Sequence, residues 1–359
     1  MADTRVVPVS AVKYGLKAET SFGVGLDSDG NDGTAYLTQP VIQAQKPTFN
    51  ITRESRLLSG RGTVKNAADT IVNTRGGTVT MPFEMLATPR TLAQHYLLVA
   101  QEDNNAVTHE MQIDGSSNLT SMGGTVTDGM PHSCNLAWYP AAGAGIKLAG
   151  VVCSDLTISG SVDSNNGLVS ISGNYFSGFS NTLTTSSVLE QTFDGNWVAA
   201  ETTYYNVLDM DARTLDVDTN DAMEHTFILK SFNFNITNGV NRFGFDTNGN
   251  AEGYAFPEYT VTGDLTIKYD DQFDFSADTN VIQDFISGNT LSIAMKIGDG
   301  TVSSEGEMNI SAEIQYTGDP SLDLSESGLY LNLPFECVQN STTAAFKISS
   351  FKNEAKTVW

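Results

Sequence analysis

Acid–base chemistry near neutral pH would fall to four histidines in this chain of 359 residues, His95, His109, His132 and His225. They are scattered. None stands in a His-x-x-x-His pair, no Cys-x-x-Cys motif accompanies them, and no Gly-x-Ser-x-Gly elbow or phosphate-cradling glycine loop leads into a helix. His95 falls in a helical pattern, where a packed or surface histidine is the plain reading. Asp209 and Asp211 could evoke a glycosidase pair, but that chemistry needs two carboxylates facing each other across a cleft, which near neighbours on one strand do not provide. Two loops could offer oxygen ligands to a hard cation such as calcium: Asp27-Ser-Asp29-Gly-Asn31-Asp32 and Asp246-Thr-Asn248-Gly-Asn250-Ala-Glu252. Neither has the glycine and the bidentate glutamate of a calcium-binding hand. Asp, Asn and Gly also make tight turns, and the turn is the preferred reading. Cys134, Cys153 and Cys337 are too few for a disulfide framework and too apolar in setting for a metal site, so they read as core thiols. The expectation is a protein that is not an enzyme and uses no cofactor or metal.

The charge distribution carries more. The formal net charge is −23, which argues against gripping nucleic acid through its phosphates. Residues 46–90 run the other way, with Lys46, Arg53, Arg56, Arg61, Lys65, Arg75 and Arg90 against Glu54, Asp69 and Glu84. Setting aside those seven bases and three acids leaves −27 on the rest of the chain. Arg53, Arg56, Arg61 and Lys65 flank a loop too long for a tight hairpin, and loops of that length are usually functional. In so acidic a chain their expected partner is a carboxylate-rich surface on another copy.

The elements that position these residues are short strands. Gly, Thr, Ser and Asn are abundant, and stretches such as Tyr259-Thr-Val261-Thr and Leu265-Thr-Ile267-Lys-Tyr269 alternate apolar with polar, the pattern of half-buried antiparallel strands. Two segments read as helix. One opens at Thr88-Pro89 and carries Leu92, Tyr96, Leu97 and Val99. The other runs from Asp278 or Thr279 through Phe285 and Ile286 to a stop at Gly288. The N-terminal Met-Ala-Asp-Thr-Arg-Val-Val-Pro lacks the basic lead and apolar stretch of an export signal, and no run of 18 apolar residues occurs; neither secretion nor membrane insertion is expected.

The segments recur in order. Phe49-Asn-Ile-Thr52 returns as Phe234-Asn-Ile-Thr237, and Gly77-Thr-Val-Thr-Met81 as Gly263-Asp-Leu-Thr-Ile267. Leu136-Ala-Trp138 answers Ile293-Ala-Met295, Leu156-Thr-Ile158-Ser-Gly160 answers Ile314-Gln-Tyr316-Thr-Gly318, and Val169, Ile171 and Tyr175 answer Leu329, Leu331 and Phe335. A repeat of this size is one fold used twice. The expected organisation is a first β domain over 1–180, with a basic loop at 53–75 and an insertion at 102–132. An acidic connection over 181–222 and a second domain over 223–359 follow. Each domain is expected to be an antiparallel β-sandwich or barrel-like unit with its own core and one short flanking helix.

Tyr14-Gly-Leu-Lys17-Ala-Glu19-Thr-Ser-Phe-Gly23, the basic stretch Arg53-Glu-Ser-Arg56-Leu-Leu-Ser-Gly60-Arg61-Gly62, and the Gly76-Gly77 strand leading into a helix from Thr88 to Gln101 together resemble the phage tail tube protein family. The resemblance implies a virion protein, made in the host cytoplasm. Its copies would close into trimeric (pseudo-hexameric) or hexameric rings that stack into a hollow tail tube and meet other tail proteins. DNA would pass from capsid to host cell through the lumen without specific binding. On this reading Arg53, Arg56, Arg61 and Lys65 make the contact between rings. The strand positions facing the bore should carry Asp, Glu, Ser, Thr and Asn with almost no Lys or Arg. Another β-rich virion part, such as a distal tail, collar or decoration protein, is the alternative. A calcium-dependent surface adhesin and an acidic hydrolase stand further off.

Overall fold

The computed structural model describes residues 12–19, 22, 36–41, 48–50, 54–57, 70–73, 78–100, 103–105, 108–113, 131–139, 146–178, 193–194, 204–216, 224–247, 250–270, 281–298, 307–324, 328–339 and 344–351. The protein is mainly β, built on a large antiparallel sheet, with two α-helices among these residues.

The first half supplies β1 (Lys13–Ala18), β2 (Tyr36–Thr38), β3 (Thr48–Asn50), β4 (Glu54–Leu57), β5 (Thr70–Asn73), β6 (Thr78–Leu86), α1 (Pro89–Val99), β7 (Asp103–Asn105), β8 (Thr108–Ile113), β9 (Cys134–Tyr139), β10 (Ile146–Ser161), β11 (Ser170–Ser177) and β12 (Phe193–Asp194). The second half continues with β13 (Met210–Asp216), β14 (Glu224–Thr226), β15 (Leu229–Thr237), β16 (Asn241–Phe243), β17 (Gly253–Ala255), β18 (Thr260–Lys268), α2 (Val281–Ser287), β19 (Leu291–Ile297), β20 (Met308–Tyr316), β21 (Ser321–Asp323), β22 (Tyr330–Cys337) and β23 (Phe346–Phe351).

Six antiparallel pairings of the first half return in the second with the same connectivity. The first series runs β2–β1–β9–β10–β11–β6–β3. The second runs β14–β13–β19–β20–β22–β18–β15. In chain order a small separate ribbon stands at the same place in each half, β4–β5 between β3 and β6 and β16–β17 between β15 and β18. A helix follows the glycine-led strand in both. The repeated pairing starts again at β13, inside the stretch 181–222 that the sequence assigned to an acidic connection.

The two series share one sheet. β10 and β15 pair over seven residues, from Asp155↔Thr237 to Ser161↔Ser231, so the strands run β3–β6–β11–β10–β15–β18–β22 without a break. β21 and the end of β20 lie against the far side of β22. The halves interlock again where β8, from the insertion, pairs with β23, which pairs with β20. Expected as separate cores, the buried side chains instead form one principal cluster, with Met81, Leu92 and Ile158 from the first half touching a set that includes Phe234, Leu265, Ile293 and Ile348.

Helix α1 starts where the sequence places it. Thr88 caps it by accepting from the Thr91 backbone N–H at 3.1 Å, while the Thr91 hydroxyl accepts from the Thr88 N–H at 2.8 Å, and Pro89 fills the first turn where its missing N–H costs nothing. Helix α2 ends at Gly288, whose φ of +64° gives the left-handed residue that closes a helix. No helix among the described residues is long and apolar enough to cross a membrane.

Candidate functional site

Alternation along six strands, β6, β11, β10, β15, β18 and β22, interrupted by bulges after Cys153 in β10 and after Leu229 in β15, separates two faces of the main sheet. Val79, Met81, Phe83 and Met85 of β6 are buried, as are Phe232, Phe234 and Ile236 of β15 and Leu331, Leu333 and Phe335 of β22. The intervening residues share the opposite face because directly paired residues in an antiparallel sheet point the same way. Thr157 pairs with Ser172 on one side and Asn235 on the other; Asn235 pairs with Thr262, and Thr262 with Glu336. Read across its strands, this face carries Thr78, Thr80, Pro82, Glu84 and Leu86; Ser170, Ser172, Asn174 and Phe176; Asp155, Thr157, Ser159 and Ser161; then Ser231, Asn233, Asn235 and Thr237; Thr260, Thr262, Asp264, Thr266 and Lys268; and Tyr330, Asn332, Pro334 and Glu336, with Phe176 joining a small apolar cluster at one edge.

The polar side chains tie one another down. The Asn174 amide donates to both Asp155 carboxylate oxygens at 3.2 and 3.1 Å, and the Asn233 amide donates to Asp264 at 2.7 Å. Thr157 donates to Asn235 at 3.0 Å, Ser159 and Ser170 stand 3.2 Å apart, and Thr237 and Thr260 2.6 Å apart. Partial burial among these neighbours pushes the Asp264 carboxyl above its ordinary value. A hollow of about 180 Å³ opens on the same face, between Ser159, Ser161, Ser170, Ser231 and Asp264. Four acidic groups, Glu84, Asp155, Asp264 and Glu336, belong to the face. Its bases lie at one rim: Lys268, last on β18, stands 3.8 Å from Asp270, and Lys230 sits over the Tyr330 ring. The face therefore offers hydroxyls, amides and negative charge over most of its extent.

Three glycines lie on the core side of the sheet behind this face, each directly opposite a phenylalanine: Gly173↔Phe83, Gly160↔Phe232 and Gly263↔Phe335. A Cβ on Gly173 would stand 2.1 Å from the Asp155 carbonyl oxygen, and one on Gly263 2.2 Å from that of Asn233. The aromatic ring covers the backbone that glycine leaves bare, as in the aromatic rescue of strand glycines. These pairs could not be read from the sequence, since the partners lie up to about ninety positions apart.

The residues singled out by chemistry do not converge. His95 is buried in α1, with Nδ1 2.6 Å from the Thr91 carbonyl and Nε2 2.8 Å from the Tyr175 hydroxyl; burial lowers its pKa to about 4. Phe83 stacks on Tyr175 at 4.4 Å and closes the histidine off. This is a packed histidine, the plainer of the two readings. Cys134 and Cys153 are buried thiols with pKa values pushed up by burial. Asp246 turns its carboxylate into its own loop, accepting from the Asn250 backbone N–H at 2.8 Å, while Asn248 and Asp27–Asp32 lie outside the described residues. Among the described residues no three His, Cys, Asp or Glu side chains are grouped to hold a metal. Arg56 lies on β4, in register with Ile71 of β5, so part of the expected basic loop is a two-stranded ribbon; Arg53, Arg61 and Lys65 lie outside the described residues.

No family model matches the chain, and no curated protein matches it.

Proposed function

We propose that this is a structural protein of a phage tail, whose copies close into rings that stack into a hollow tube for DNA. The observation that carries the reading is the polar face of the main sheet, which bears Ser, Thr, Asn and carboxylates with its bases kept to one rim. A conduit must not hold its cargo. Duplex DNA carries one charge per ~1.7 Å of its axis, so basic side chains along the wall would bind it and stall its passage. Carboxylates repel phosphate, and hydroxyls and amides already bonded to each other offer no fixed counter-charge. Inside a narrow channel with low-dielectric walls the field of such groups reaches further than the ~8 Å screening length of physiological salt. DNA would then ride near the axis.

The duplicated pairing supports the same reading, because a sheet assembled from equivalent units lends itself to continuation from chain to chain. The basic ribbon and loop, with Arg53, Arg56, Arg61 and Lys65, then fits a contact with the acidic surface of the next ring. Electron microscopy of the purified full-length protein tests the reading: rings or tubes with a central bore are expected, and a protein that stays monomeric at high concentration refutes it. Assembled tubes should not retain duplex DNA at low salt. Tight retention would remove the argument from the polar face.

A further inference from the structure

The hollow on the polar face lies where the two halves meet. Ser159, Ser161, Ser164 and Asn165 line it from the first half, Ser231 and Asp264 from the second. It encloses about 180 Å³, room for about six waters at ~30 Å³ each. The carboxylate in it is not consumed by the fold. In the other Asp–Asn cross-strand pair of this face, Asp155 is saturated, since the Asn174 amide donates to both of its oxygens and the Ser154 hydroxyl donates at 2.8 Å. Asp264 accepts from Asn233 through one oxygen, and among the described residues no base pairs with it. Lys230, the one base on β15, stands over the Tyr330 ring instead, at 4.5 Å. A partly buried carboxylate with one hydrogen bond and no counter-charge is incompletely satisfied.

The turn that walls the hollow is strained. Asn165, Asn166 and Gly167 have φ of +48°, +55° and +81°, three left-handed residues in succession where such residues ordinarily occur singly. They are held in that shape: the Asn206 amide donates to the Asn166 carbonyl at 3.2 Å, and a Cβ on Gly167 would stand 2.3 Å from the Asn206 Oδ1. The Ser164 hydroxyl caps no backbone group, and the Asn165 amide has no partner among the described residues, so both remain for whatever enters. Left-handed strain of this kind is kept at ligand clamps.

We infer that this hollow binds a small ligand through a primary ammonium group, which meets the open oxygen of Asp264, the serine hydroxyls and the Asn165 amide oxygen. An ammonium offers three donors and no acceptor, and the hollow offers one negative charge among hydroxyls able to accept. The carboxylate opposes anions. A calcium ion takes 6–8 oxygens at about 2.3–2.6 Å, and a hollow of this width with Asp264 as its only acid does not bring them together. The remaining volume suits a short aliphatic chain carrying the nitrogen. The same chemistry is presented by a free aliphatic diamine and by a lysine side chain, which the experiment separates.

Isothermal titration of the full-length protein with 1,4-diaminobutane at physiological salt should show saturable binding of one ligand per chain. A second titration with Nα-acetyl-lysinamide assigns the source: equal affinity points to a lysine side chain, severalfold weaker binding to a free amine. Asp264→Asn, nearly isosteric, should weaken the diamine about tenfold or more, the loss expected of a charged hydrogen-bond partner. Asn165→Gly, which suits the left-handed position, should weaken it severalfold without loss of stability in urea. Asp163→Asn lies on the same turn but is exposed and outside the hollow, and should leave the affinity nearly unchanged. If Asp264→Asn does not fold, Asn165→Gly against Asp163→Asn carries the comparison. Uptake that never saturates, or equal weakening by variants inside and outside the hollow, marks diffuse counterion attraction and overturns the inference. Displacement of the diamine by magnesium chloride beyond that by sodium chloride of the same ionic strength overturns it in favour of a hydrated metal. Each readout is taken per chain, assembled or not, so its failure leaves the tube reading as it stands.

Discussion

Acidification from about pH 7.5 to pH 4 asks His95 to take up a proton where a charge has no solvent. The Nδ1–H donates to the Thr91 carbonyl, which leaves Nε2 to accept from the Tyr175 hydroxyl; Phe83 covers the ring, and Tyr175 is itself kept neutral by burial, which raises its pKa well above the ordinary value. A proton on Nε2 would face a hydroxyl already donating toward it. In the unfolded chain the imidazole titrates near ~6.5, whereas in the fold it does so near about 4. The unfolded state therefore binds the proton first as pH falls, so the contribution of neutral His95 is fully present above the unfolded value and lost between there and the folded value. A difference of roughly 2.5 pKa units at 1.36 kcal/mol each amounts to about 3 kcal/mol, to order of magnitude. The measurement is urea unfolding of the wild type and of His95→Gln at a series of pH values. The wild-type advantage should stay level above neutral pH and shrink by about 3 kcal/mol on going to pH 4, whatever the carboxylates common to both proteins contribute. An advantage that does not change with pH, or an imidazole resonance of His95 titrating near 6.5 in the folded protein, would refute the reasoning.

Glu307 is fully buried and lies 3.2 Å from the Lys296 ammonium; Lys296→Met should lower stability by about 3–5 kcal/mol by leaving a buried carboxylate uncompensated, and adding Glu307→Gln should recover much of the loss in the same denaturation assay. Gly173→Ala and Gly263→Ala each drive a Cβ into a neighbouring backbone carbonyl, at 2.1 and 2.2 Å, and should each cost about 1–3 kcal/mol or more in thermal unfolding, whereas the open-space Gly253→Ala should cost far less. The double variant Arg56→Glu, Arg61→Glu should fold with an unchanged circular dichroism spectrum yet fail to lengthen into tubes under the microscope; normal tubes from it would remove the basic segment from the contact between rings.

Strand alternation made the core face and the polar face legible, because Thr-Val-Thr-Met and Asp-Leu-Thr-Ile each declare which side is buried. The helix at Thr88-Pro89 and the stop at Gly288 were legible for the same kind of reason, a local cap and a local left-handed residue. What escaped lies in pairings whose partners are remote or dissimilar. The ribbons β4–β5 and β16–β17 hold equivalent places, but Glu54–Leu57 and Asn241–Phe243 share no side-chain pattern. Strand β13 repeats the place of β1, though Met210–Asp216 is acidic where Lys13–Ala18 is basic. The sharing of one core follows from the β10–β15 junction, and nothing local to Thr157 or Asn235 announces that they meet. The polar face itself could be expected by residue type, but its extent needed the register of six strands.

The pairing of β8 with β23 sets a clock on the making of this protein. Met111 lies opposite Ile348, 237 positions later in the chain (348 minus 111). At a synthesis rate of about 5–20 residues per second, β8 leaves the ribosome roughly 10–50 s before its neighbour exists. Such a distant contact belongs to the slow end of folding, since the chain must be brought round before the pairing contributes anything. During that interval the edge of β8 that will receive β23 stays open, and β20, the other neighbour of β23, is itself made only toward its end. A nascent chain can build the first series of strands early, but it cannot finish the seam that locks the two halves together. Closure of the fold thereby waits for β23, and chains truncated before residue 346 lack the strand that closes it.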